Sequence, residues 1–183
     1  MITTRFLVDG EYSQYADWLK SRDLEARQLY FGYNTSDENI DELVKRIIDH
    51  SDDHYFLVAE SATGWVGTLH IAIVGSEVEF GLMVAKELRG HGIGTLMMDE
   101  ALLWARNRGY SELMMHCLTY NKPIQALCHK YGLETTNMYG ESETKVKLPP
   151  ANFATLTKEA AIRNKQAWRL MLRKTWPAVD MYG

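Results

Sequence analysis

The feature that most constrains this chain is the run Arg89-Gly90-His91-Gly92-Ile93-Gly94, set between a short apolar segment and a long amphipathic one. Three glycines at alternate positions make a turn whose backbone N–H groups no side chain covers. Where such a turn opens a helix, the unpaired amides of the first turn point outward and the helix dipole adds about half a positive charge. Both properties favour a phosphate group, and Arg89 can set a full charge beside it. Two other phosphate cradles fit worse. A P-loop needs Lys before the Ser or Thr that follows its last glycine, and here Thr95 follows Gly94 directly. A dinucleotide fingerprint needs unevenly spaced glycines and an acidic residue at a later strand end, whereas Gly90, Gly92 and Gly94 are evenly spaced and no such residue follows. Taken alone, the cluster also fits a tight turn that only admits a helix to a sheet, with Arg89 a solvated charge.

The surroundings decide between these readings. Thr4 to Asp9 reads as a strand, and Tyr12 to Tyr30 carries helical spacing through Tyr15, Leu19 and Leu24. Ser36 opens a second helix in which Ile40, Leu43, Val44 and Ile47 recur at helical intervals. Three runs rich in Val, Ile, Phe and Leu follow, Tyr55 to Glu60, Trp65 to Val74 and Glu77 to Ala85, and their Gly-containing breaks predict antiparallel strands. Gly92 to Arg108 is the strongest helix, with Asp99, Glu100, Arg106 and Asn107 on one polar face. Leu113 to Leu118 reads as a buried, roughly parallel strand, Pro123 to Tyr131 as a short helix closed by Gly132, and Glu134 to Leu148 as a final strand pair. Pro149-Pro150 marks a boundary before a last helix, Leu156 to Trp176.

Composition narrows the function. With 183 residues, 46% of them hydrophobic, the chain can bury one ordinary core. Its longest apolar stretches fall far short of the roughly 20 residues of a membrane-spanning helix, so a soluble protein without a membrane partner is expected. The N-terminus lacks the pattern of a secretory signal, which makes the cytoplasm the expected compartment and Cys117 and Cys128 free thiols. A formal net charge of -4 argues against a nucleic-acid partner. The exception is local: in the C-terminal tail that carries the last helix, Lys158, Arg163, Lys165, Arg169, Arg173 and Lys174 outnumber Glu159 and Asp180. That helix is expected to pack on the domain or to form a homodimer, a partner-binding or nucleic-acid-binding role being the alternative.

Two motifs carry a family resemblance. Arg89-x-x-Gly92-x-Gly94 resembles the Gln/Arg-x-x-Gly-x-Gly/Ala signature of the GNAT superfamily of N-acetyltransferases, in its expected place between strand and helix. Asn121, Leu127, Gly132 and Leu133 fall at the intervals of the family's second motif, Asn-x-x-Ala-x-x-Leu-Tyr-x-x-x-Gly-Phe. The stretch Ser21 to Phe31 is similar to a subset of bacterial members that also carry a helix after the domain. The resemblance implies an α/β (α+β) fold in which a mixed, mostly antiparallel central sheet is flanked by helices. Residues 1–148 would form that domain and 149–183 a C-terminal helical extension. It also implies acetyl-CoA as cofactor. Leu82 and Val84 would offer main-chain groups to the pantetheine arm, Arg89, Gly90, Gly92, Ile93, Gly94 and Thr95 would hold the pyrophosphate, and Asn121 would complete that side.

The chain departs from the family at the general acid. Members commonly place a tyrosine seven residues after the motif Asn, where its hydroxyl protonates the departing thiolate; here that position is Cys128. A thiol, with an ordinary pKa of about 8.5, can donate to a thiolate of similar basicity, but cysteine on a short helix more often fills space. Tyr131, three residues on, occupies what is usually a packing position. Acyl transfer also needs a neutral amine, and deprotonating a lysine-like amine at neutral pH costs roughly 4–5 kcal/mol, so a base helps. Glu79, ten residues before Arg89, is the first candidate, since members often carry a carboxylate there; the alternative is an exposed strand residue. His116 is the second candidate, against a histidine satisfied in the core. His116, Cys117, Cys128 and His129 match no common zinc spacing, so no metal is expected. The acceptor, a small-molecule or peptide amine, has no signature: Tyr12, Tyr15, Trp18, Tyr30, Phe31 and Tyr33 line its pocket or pack the core. A coenzyme A-binding sensor that lost turnover is the alternative function, with Cys128 as its support.

Overall fold

The apolar runs between residues 54 and 84 form β2 (His54–Ser61), β3 (Gly64–Val74) and β4 (Glu77–Val84), which a computed structural model places at the centre of a seven-stranded sheet. The structure describes residues 2–8, 10–138 and 141–175. The sheet also holds β1 (Thr3–Phe6), β5 (Glu112–Leu118), β6 (Glu134–Met138) and β7 (Glu141–Lys147), in the order β1-β2-β3-β4-β5-β7-β6. Every neighbouring pair is antiparallel except β4 with β5. The mixed, mostly antiparallel sheet flanked by helices is therefore the architecture expected from the sequence.

Alternation along the strands divides the core into two layers. Val78, Phe80 and Leu82 of β4 join Leu113 and Met115 of β5 beneath α4 (Ile93–Asn107) and α5 (Lys122–Lys130). Met83, on the opposite row of β4, packs with Phe56 under α1 (Tyr12–Lys20) and α3 (Asp37–Asp49). Burying one such Phe or Leu side chain stabilises the fold by about 1.5–3 kcal/mol, so both faces of the central strands contribute.

One expectation is corrected. The helical run from Tyr12 to Tyr30 is two helices, α1 and α2 (Leu24–Phe31), because Asp23 leaves helical geometry and its carboxylate caps α2, accepting from Ala26 N at 2.7 Å. Gly32, at φ +82°, ends α2. α6 (Phe153–Thr175) packs against the polar face of α4. Glu100 is only 8% exposed, bonded to Thr4 Oγ1 and to Gln166 Nε2, and burial raises its carboxyl above the usual range. Asn107 Nδ2 donates to Thr155 O at 3.0 Å, and Arg108 pairs with Glu159 at 2.9 Å. The last residue of the predicted final helix, Trp176, lies outside the described residues.

Arg27 fixes α2 against its neighbours. It is 8% exposed and donates to the carbonyls of Lys20, Arg22 and Thr35 and to the Asp37 carboxylate at 2.7 Å. Replacing Arg27 with Met should leave those acceptors without donors and lower unfolding free energy by about 2–3 kcal/mol. Urea denaturation monitored by circular dichroism checks this; an unchanged midpoint would mean that the guanidinium does not hold α2.

Candidate functional site

The site begins where the sheet opens. β4 and β5 pair at only three positions, Glu77 with Glu112, Val78 with Leu113 and Glu79 with Met114. Beyond Glu79, β4 stays paired with β3 while β5 stays paired with β7. The bond from Ala85 N to Val66 O, 2.9 Å, sets the phase of the antiparallel ladder. In such a ladder opposed pairs alternately exchange both hydrogen bonds or none. Ala85, Met83 and Gly81 thus turn their main-chain groups to β3, whereas Val84, Leu82 and Phe80 turn theirs to the open edge. Arg89 Nε donates to Val84 O on that edge at 3.3 Å.

The open edge leads into the N-terminus of α4. A 3-10 turn at Lys86–Leu88 and the glycine run separate them, with Gly90 and Gly92 both at φ +80°, a left-handed geometry that costs other residues about 1–2 kcal/mol. Nothing lies within 4 Å of the space a β-carbon at either position would take, so the backbone there faces an open cleft. α2 and α3 are capped by the side chains of Asp23 and Ser36, but α4 has Gly92 at its N-cap and no side-chain cap. Gly94 lies close in: a β-carbon there would meet Leu82 Cδ2 at 3.4 Å and Leu127 Cδ2 at 3.8 Å. The resulting cleft, about 410 Å³, is lined by Leu82 and Val84, by Arg89, Gly90, Gly92, Ile93, Gly94 and Thr95, and by Asn121 across the opening. Every residue expected to touch the cofactor therefore borders one cavity. An uncapped helix start with glycine backbone and an adjacent arginine suits a pyrophosphate.

The model of the acetyltransferase (GNAT) family matches residues 17–133, more than half of the chain. The chain belongs to that family. Among solved structures, the GNAT domain of S. lividans PAT has a TM-score of 0.67 at 17% identity, over 79% of this chain and 89% of that one. Spermidine N-acetyltransferase from Vibrio cholerae, in complex with CoA and spermine, has a TM-score of 0.63 at 16% identity, over 80% of this chain and 95% of that one. PaiA N-acetyltransferase from Thermoplasma acidophilum, in complex with coenzyme A, has a TM-score of 0.62 at 18% identity, over 80% and 99%. At these identities the likeness is one of fold. No curated protein matches in sequence. At the level of the GNAT family the activity is N-acetyl transfer from a coenzyme A thioester. Among the described residues no helix is long and apolar enough to cross a membrane, and no three His, Cys, Asp or Glu are grouped to hold a metal.

The GNAT chain's candidate acid–base residues do not line the cleft with the others. Glu79 is half-buried on the last paired position of β4, on the row that holds Gly81 and Met83. His116 is exposed on β5, past the end of the pairing, on the same face of the sheet. Cys128 is 1% exposed, with its Sγ 4.0 Å from Met115 Sδ and 3.6 Å from Thr144 Oγ1. Seven residues make two helical turns, so Cys128 lies below Asn121 on the sheet-facing side of α5, and its short side chain ends in the core. A hydrogen bond with Cys117 draws the Cys128 thiol below the usual range, against the push of burial, and holds Cys117 above it. Tyr131 is turned to α4, where its hydroxyl donates to Asp99 Oδ1 at 2.6 Å.

Sequence reasoning missed one contributor and did not single out another. Lys130 lines the cleft and its Nζ lies 3.3 Å from Thr95 Oγ1, which adds a second cation near the start of α4. Its signal was its place in the last turn of α5, where helical spacing could have aimed it across to α4. Tyr30 is the single member of the aromatic set that lines this cleft, while Tyr15 and Trp18 are in the core. Neither Cys117 nor Cys128 should react with iodoacetamide in the folded protein, and both should react in urea. Rapid native labelling of Cys128, read by peptide mass spectrometry, would contradict its burial.

Proposed function

We propose that this chain is an acyl-CoA-dependent N-acyltransferase that moves an acetyl group from acetyl-CoA directly to a primary amine of a small molecule or peptide. The observation that carries this reading is the continuous cleft from the open edge of β4 to the uncapped start of α4. Arg89, Lys130 and the first amides of α4 would hold the pyrophosphate. Leu82 and Val84 would bond the pantetheine arm through main-chain groups on the open edge, with Asn121 on the opposite wall. When bound, acetyl-CoA supplies the thioester from which the acyl group leaves.

The chain's own residues account for the remainder. Glu79 stands at the point where β4 and β5 part and would accept the amine proton, directly or through water. His116 shares its face of the sheet and is the second candidate for that proton. The Leu82 N–H, on the open edge, would polarise the thioester carbonyl. A small amine acceptor is consistent with the Vibrio cholerae relative, whose structure holds spermine. The buried Cys128 gives the second reading, a coenzyme A-binding sensor, its specific support.

Calorimetric titration with acetyl-CoA tests the cofactor site, with the Arg89→Ala, Gly92→Ala double variant as control. Losing a charge-assisted phosphate contact and straining the left-handed turn should together cost about 3 kcal/mol, roughly 100-fold in affinity. Absence of binding by the folded wild type would overturn the reading. Thiol release with spermine and with a peptide bearing a free N-terminus separates the two functions: release supports the transferase, and tight binding without release supports the sensor.

A further inference from the structure

With Cys128 in the core, the departing sulfur in the proposed reaction lacks the phenol that position 128 would have supplied. The structure holds a different phenol at the opening. Tyr30, one residue from the end of α2, lines the cleft. Its Oη comes so close to β4 that a β-carbon at Gly81 would meet it at 2.9 Å. Gly81 is two residues past Glu79, the last residue of β4 paired with β5, so the hydroxyl stands where the two strands part. It is also one residue from Leu82, whose main-chain groups face the open edge. Glycine at 81 is what admits the phenol, because this position has no positive φ to require it.

Several contacts fix the ring. Tyr15, 1% exposed, brings its Oη to 3.3 Å from Tyr30 Oη. If Tyr15 donates in that contact, Tyr30 keeps its own proton for a cleft partner. Asn121 Nδ2 donates to Leu29 O at 3.3 Å, which ties the end of α2 to α5 across the cleft. Phe31 packs edge-on against the Tyr30 ring at 4.8 Å.

We propose that Tyr30 is a catalytic hydrogen-bond donor to the coenzyme sulfur, with Tyr15 as its positioning residue. This rests on the acyltransferase reading above. As the new N–C bond forms and the C–S bond breaks, the sulfur takes the electron pair, Tyr30 O–H stabilises its charge, and the amine proton goes to Glu79. The O–H bond itself stays intact, because burial, against the lowering effect of the Tyr15 hydrogen bond and with the added field of Glu79, pushes the phenol up to about 12, above an ordinary thiol. Other titratable groups around the opening are Glu79 on β4, His116 on β5 and His70, the cross-strand partner of Gly81, which burial lowers to about 3 and so keeps neutral. Arg89 and Lys130 line the same cleft.

The test uses free CoA, isotope-labelled at the carbon that bears the thiol and bound to the full chain, with its thiol titrated by NMR across pH. In the wild type the bound thiol should be more acidic than that of free CoA. In Tyr30→Phe it should lose roughly tenfold of that acidity, as the loss of one hydrogen bond to a charged atom implies, and Tyr15→Phe should lose a smaller part. Equal thiol acidity in wild type and Tyr30→Phe, with CoA bound to both, overturns the proposal. A folded Tyr30→Phe that no longer binds CoA also overturns it, since the phenol would then be a support for the cleft. Should Tyr30→Phe fail to fold, Gly81→Ala decides, because its β-carbon displaces the hydroxyl without deleting it; unchanged acidity there counts against the role. Failure of the wild type to bind CoA sinks the acyltransferase reading instead.

Discussion

Everything at the site depends on how briefly β4 and β5 stay together. Three paired positions suffice to keep the sheet continuous, and β7 secures the far side of β5. The rest of β4 carries main-chain groups with no strand beside them. A buried peptide group left unpaired costs about 1–3 kcal/mol, so these groups take partners other than a strand, water included. Arg89 supplies one to Val84 O, and the cleft leaves the others open to solvent or to a ligand with alternating donors and acceptors. The opening also separates two chemistries on a single strand. One row of β4 packs under α4 and α5, and the other, with Glu79 and Gly81, faces the layer of α1, α2 and α3.

On one side of this opening, α2 is held largely by polar contacts. α2 is only eight residues long, too short to persist alone. Its position comes from the Asp23 cap, from the buried Arg27 and from the bond between Asn121 and Leu29 O. Arg27 and Asn121 are each less than a tenth exposed, so their bonds are protected from water and hold their geometry. α4 contributes the opposite quality: Met97, Met98 and Ala101 are fully buried, and Gly67 lets the helix approach β3 so closely that a β-carbon there would meet Met97 Sδ at 3.1 Å. A rigid helix start on one wall and a polar clasp on the other define the cleft.

Much of this is legible in the sequence. The glycine run, α4 and the Asn121 motif are local patterns, and local patterns are what a sequence expresses directly. The break between α1 and α2 was written in Asp23, but helical spacing continued through it and masked the cap. The burial of Glu100 was not readable, because a carboxylate on a polar helix face looks solvated until a distant helix covers it. Cys128 stood at a position defined by analogy with a longer side chain, and only packing against Met115 and Thr144 reveals where a short one ends. Tyr30 was one of six aromatics with no distinguishing mark. Its place depends on an absent β-carbon across the sheet, a relation between distant residues that no periodicity encodes.

The buried Glu100 has a consequence for how the molecule is completed. Thr4 lies 96 residues before it and Gln166 lies 66 residues after it, and both end on the same carboxylate. The first strand and the last helix are thereby joined through the middle of the chain. During synthesis α4 would leave the ribosome with this carboxylate still hydrated, and the group would lose its water only when the final helix arrived. Contacts so far apart in sequence are slow to form. Through this one carboxylate α6 ties an edge strand and a central helix that are far apart in sequence, so loosening any one of the three would expose the charge to water.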